Sequence, residues 1–125
     1  MKKITLLSLL TISVSCKQNE KKEALYPETE TVQTPVQRGQ ELFDGAGNCF
    51  ACHKPDQKVI GPSIQEIAKI YKEKNGDIVA FLKEKADPIV DPDLYETMKT
   101  NLAITKKMPE EDLKAIEAYM YSHLE

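Results

Sequence analysis

Residues 49–53 read Cys-Phe-Ala-Cys-His. Two thiols three positions apart, with an imidazole directly after the second, form the attachment signature of a c-type haem. The chemistry sets the spacing. Each thiol adds across one of the two vinyl groups on a porphyrin edge, and the next residue brings an imidazole nitrogen to the iron. Cys49 and Cys52 are the expected tethers and His53 the expected axial ligand. A chain of this size holding such a group has much of its core supplied by the cofactor.

A Cys-x-x-Cys pair alone also occurs in zinc sites and in thioredoxin-like redox proteins, so the histidine discriminates. A structural zinc site needs four ligands. Beyond the motif the chain offers only Cys16 and His123, near its two ends, and His123 reads as a solvated terminal residue. A thioredoxin-like pair sits where a strand meets a helix. What precedes Cys49 is the polar turn Asp44-Gly45-Ala46-Gly47-Asn48, not a β-branched run.

The N-terminus carries its own signal. Lys2 and Lys3 precede an apolar stretch from Ile4 to Val14, then small residues around Cys16, the layout of a bacterial export signal. The stretch is too short to span a bilayer. Cys16, placed directly after it, resembles the lipidated cysteine of bacterial lipoproteins, although Ser13-Val14-Ser15 lacks the Leu that commonly stands three positions before that cysteine. Cleavage elsewhere by ordinary signal peptidase is the alternative. Residues 17–34 are rich in charged and polar side chains and cannot bury enough surface to offset their ordering entropy. The expected organisation is therefore an export signal over 1–16, a flexible linker over 17–34 and one folded, monomeric domain over 35–125. The protein is expected in the periplasm or lipid-anchored to an envelope membrane.

Of 17 basic residues, Lys2 and Lys3 leave with the signal, while all 20 acidic residues stay, so the mature chain carries a net charge of −5. Haem propionates add to it. That balance argues against nucleic acid, whose phosphates favour a basic face, and suits a redox partner with a basic docking face.

The pattern is helical. Pro35 starts a first helix through Gly39, Leu42 and Phe43. Ser63 and Glu66 form a capping box before Ile64, Ile67, Ala68 and Tyr71 at helical spacing. That helix ends at Asn75-Gly76. Asp77 caps a third helix that stops before Asp87-Pro88, because the residue before proline is pushed out of the helical region. A last helix begins at Pro109, with Glu110, Glu111 and Asp112 against its positive end and Leu113, Ile116, Tyr119 and Met120 as its buried stripe. No stretch alternates long enough to demand a strand, so the domain is expected to be all-α.

With the pentapeptide near the front, Gly39 and Phe43 before it, Gly61-Pro62 after it and Ile116 to Tyr119 at the end, the chain resembles the class I mono-haem cytochromes c over residues 35–125. The resemblance implies a small fold of about four to five helices around one covalent haem c and its iron. It implies a close crossing of the first and last helices at Gly39, Phe43, Ile116 and Tyr119. It also implies that Pro62 offers its carbonyl to His53, which fixes the tautomer and makes the iron-facing nitrogen more basic.

Family members place a methionine thioether opposite the histidine, on a loop before the last helix. Met98 and Met108 are the candidates. Met108 abuts Pro109, while Met98 stands 18 residues before Ile116, nearer the family's separation, so Met98 is favoured and Met108 is the runner-up. Phe50, Tyr71, Phe81, Leu82, Leu94, Leu102 and Ile104 are the expected apolar wall. The function implied is a non-enzymatic one-electron carrier in a respiratory or related redox chain. Should neither methionine ligate, the alternative is an open-site haem enzyme or gas sensor; a role as haem subunit of an oxidoreductase complex is a separate alternative to the free carrier.

Overall fold

The computed structural model describes residues 33–124; the expected signal with Cys16 and the expected linker up to residue 32 lie outside them, while Gln33 and Thr34, the end of that linker, are described and Thr34 belongs to the start of α1. Five α-helices, α1 Pro35–Asp44, α2 Ile64–Glu73, α3 Ile78–Leu82, α4 Tyr95–Thr105 and α5 Glu110–Tyr121, follow in order. Short 3₁₀ turns at Cys49–Ala51 and Pro92–Leu94 interrupt the connections. Among the described residues the only extended pairing is an isolated antiparallel bridge between His53 and Lys58. No helix there is long and apolar enough to cross a membrane.

α1 starts at a full capping box that the sequence reading missed. Thr34 Oγ1 accepts from the Gln37 N–H at 3.2 Å, and Gln37 Oε1 accepts from the Thr34 N–H at 2.9 Å, satisfying two donors at the helix start. The box expected at α2 is only half made. Ser63 Oγ accepts from the Glu66 N–H at 3.1 Å, while the Glu66 side chain stays in solvent. Two further donors of that helix start, on Ile64 and Gln65, reach the carbonyls of Lys54 and Pro55 at 2.8 and 3.0 Å. The loop after His53 is thereby fastened to α2.

α3 is much shorter than expected. Asp77 caps it at 2.7 Å, but the chain stops at Leu82 because Glu84 turns left-handed (φ 55°) and the Lys85 N–H returns to the Ala80 carbonyl. The helix α4 was not anticipated. Its buried positions are only Leu102 and Thr105, too sparse to read as an amphipathic period. Thr105, fully buried, donates its hydroxyl to the Leu82 carbonyl at 2.8 Å and pins α4 to the end of α3. α5 begins one residue later than expected, with Pro109 as its cap.

α1 and α5 form the most extensive helix contact. Phe43 meets Tyr119 edge-on at 5.3 Å between ring centroids, a geometry favoured by the ring quadrupoles. Gly39 makes the approach possible, because a Cβ there would overlap the Ala115 carbonyl. Leu113 and Ile116 sit at 0% and 1% exposure beneath this crossing. Arg38 Nε donates to Asp112 Oδ1 across it at 3.1 Å.

Candidate functional site: an apolar cavity beside the Cys-x-x-Cys-His turn

Asn48 adopts a left-handed conformation (φ 50°) that turns the chain out of α1 into the Cys49–Ala51 turn. The Cys52 and His53 N–H groups both reach back to the Cys49 carbonyl, at 3.1 and 3.0 Å. This tight turn brings Cys49, Cys52 and His53 onto one cavity of about 280 Å³. Phe43, Ile67, Phe81, Ile116 and Met120 line it from the helices, so it continues the hydrophobic core.

His53 is held from behind. Its Nδ1 lies 2.8 Å from the Pro62 carbonyl oxygen. A carbonyl only accepts, so Nδ1 carries the proton and Nε2 the lone pair. Burial lowers the pKa of the ring, with the Pro62 bond acting in the opposite sense. The imidazole is therefore neutral near pH 7, the form that binds metal. Gly61 leaves room for it, since a Cβ there would stand 2.9 Å from Nδ1. Both motif cysteines are free thiols. Burial raises the Cys49 pKa to about 11, an amide contact from Asn101 partly opposing it, so Cys49 is held as the protonated thiol.

From α4, Met98 lines the same cavity and Met108 does not. Met108 instead follows the end of α4, its N–H bonded to the Thr105 carbonyl at 2.9 Å, and it packs on the outside of the core. Met120 also lines the cavity, but as part of the buried stripe of α5; Met98 sits on a helix too, whereas the expected position of the ligand was a loop. Of the expected apolar wall, Tyr71, Phe81, Leu82, Leu94 and Ile104 line the cavity. Phe50 instead points outward at 43% exposure, under the Lys54 ammonium, and Leu102 is buried away from the cavity.

Two site residues escaped the sequence reading. Among the described residues Asp91 is the one carboxylate lining the cavity, and Lys58 Nζ pairs with it at 3.0 Å. Asn101 lines it three residues after Met98 and bonds the Gly47 carbonyl at 2.9 Å. The Met98-x-x-Asn101 spacing is a same-face signal that only a recognised helix makes visible. His123 is less exposed than expected for a chain end. It packs edge-on against Tyr119 at 4.9 Å, with Nε2 buried and lacking a partner among the described residues. Among those residues no three His, Cys, Asp or Glu side chains gather as a metal-binding group.

The donor set suits covalent haem: two free thiols in one turn, a neutral imidazole fixed through its distal nitrogen, and apolar walls with a single paired charge. Comparison with known proteins points the same way. Residues 36–123 match the family model described as Cytochrome c. A 36-residue stretch is 56% identical to a cytochrome c2 of Rubrivivax gelatinosus, covering 29% of this chain and 41% of that relative. The chain thus spans about two fifths of the relative it matches. With the family model covering well over half of its residues, the chain belongs to the cytochrome c family, as a class I member with covalently bound haem c and its iron.

Proposed function

We propose that the protein is a one-electron carrier, not an enzyme, in which Cys49 and Cys52 would tether the haem and His53 and Met98 would bind its iron. The observation that carries this reading is that these four side chains line one apolar cavity, to which Met108 does not contribute and Met120 contributes only from the buried core stripe of α5. When bound, the haem supplies the iron whose ferric–ferrous change stores the electron. His53, its Nδ1 proton held by Pro62, presents a fixed and more basic Nε2. The Met98 thioether favours the reduced state, and burial acts the same way by penalising the extra positive charge of the ferric state. His53 and Met98 together would leave no site there for substrate, so the chemistry the haem would supply is outer-sphere electron transfer.

We further infer export by the 1–16 segment, a lipid anchor on Cys16, and partners that present a basic face to this acidic chain in a respiratory or related redox chain. Likeness to a cytochrome c2 supports a carrier role. Intact-mass measurement on membrane-extracted protein, run denatured, tests both parts. One haem is expected to remain attached, with acyl chains on an N-terminal Cys16. Haem that dissociates on denaturation contradicts the tethers, and a soluble product cut elsewhere contradicts the anchor.

A further inference from the structure

α4 is a lightly held helix. Only Leu102 and Thr105 on it are buried, and its first turn has no side-chain cap. A ligand on such a helix needs something to keep it at the iron. Met98 and Asn101 stand three residues apart, so they share a face of α4, and both line the cavity. Asn101 Nδ2 donates to the Gly47 carbonyl at 2.9 Å and lies 3.9 Å from Cys49 Sγ. The bond therefore ties the helix bearing Met98 to the turn bearing the first haem tether.

Maturation makes this tie more important. In the free thiol, Cys49 Sγ also donates to the Gly47 carbonyl, at 3.4 Å. Thioether formation makes an Sγ–carbon bond and moves the thiol hydrogen to the other vinyl carbon, with no change in electron count. The sulfur then has no proton to donate, and of the two side-chain donors to that carbonyl only Asn101 remains.

We propose that Asn101 is the positioning residue for the Met98 thioether, holding it against dissociation by anchoring α4 to the Gly47 carbonyl of the attachment turn. The proposal rests on the assignment of Met98 as ligand. Net loss of one such hydrogen bond corresponds to about a two- to tenfold larger population of the methionine-dissociated form.

The test is imidazole binding to the ferric holoprotein, because added imidazole binds the iron only when the thioether has left, and its apparent affinity scales with that population. Asn101→Leu, which keeps the size and removes the donor, is expected to raise imidazole affinity about two- to tenfold. In a Met98→Ala background, where the position is already vacated, the same change is expected to have no effect. Unchanged affinity in the Met98 protein, or an equal rise in both backgrounds, overturns the proposal, since the latter reports easier access to the cavity. If Met98→Ala does not itself raise imidazole affinity, the ligand assignment fails first and the proposal falls with it. Should Asn101→Leu fail to mature with haem, Asn101→Asp keeps the shape but turns an acceptor toward the Gly47 carbonyl. It is expected to raise affinity at least as much, and an unchanged value overturns the proposal equally.

Discussion

Replacing Met98 by Ala is expected to abolish the sulfur-to-iron charge-transfer band of the oxidised protein. It should also lower the reduction potential by more than about 59 mV, tenfold in a one-electron equilibrium. The thioether stabilises ferrous iron relative to ferric, and the Ala side chain leaves a vacant position that water can reach. Met108→Ala is the informative partner. Met108 lies beyond the end of α4 and does not line the cavity, so its loss should leave both band and potential in place. A band lost with Met108 and kept with Met98 reverses the assignment.

Gly39→Val is expected to be the most damaging single change to stability away from the haem. Its Cβ falls on the Ala115 carbonyl, which is backbone within α5 and cannot rotate aside. α5 cannot retreat easily either, because Leu113, Ile116 and Met120 are fixed in the core on the same helix. Overpacking of this kind costs about 3 kcal/mol or more, against a helix-propensity gain over Gly of well under about 1 kcal/mol. For a domain of this size that corresponds to a fall in Tm of roughly 12 °C or more. The Arg38–Asp112 pair spans the same crossing, but its Arg side chain is 40% exposed, and such pairs contribute at most about 1 kcal/mol. Thermal unfolding of the holoprotein followed at the haem absorption, with Arg38→Ala alongside, checks this ranking. A Gly39→Val loss no larger than that of Arg38→Ala contradicts the close-crossing account.

The elements most legible in the sequence were those whose cause is local. The helical periods of α2 and α5, the Asp77 cap and the α5 stripe all depend on residues within a few positions of one another, and the helices form there. The all-α fold follows from them. The covalent site is likewise local, a pentapeptide that the chain folds into one tight turn. What could not be read depends on distant partners. α4 has almost no apolar period because its cavity side mixes Tyr95, Met98 and Ile104 with Thr97, Thr100 and Asn101, a pattern that does not distinguish it from a loop. The early end of α3 is set by a left-handed Glu84, a residue type with no sequence signal for that conformation. The Lys58–Asp91 pair and the Asn101–Gly47 bond join residues 33 and 54 positions apart, and nothing along the chain announces either. Phe50 departs from the expected wall because the turn that aims both cysteines at the cavity keeps Ala51 on its lining and sends the Phe50 ring outward.

The central claim is that a thioether closes the iron of this chain to outside ligands, which makes it a carrier. Exposure of the reduced full-length holoprotein to carbon monoxide, followed optically, tests that claim most directly. The spectrum is predicted to remain that of the six-coordinate reduced haem over seconds, with a carbon monoxide complex forming at that rate only after Met98→Ala. Formation of the complex within seconds in the unaltered protein would mean an open position at the iron, and the chain would then be a ligand-binding or catalytic haem protein.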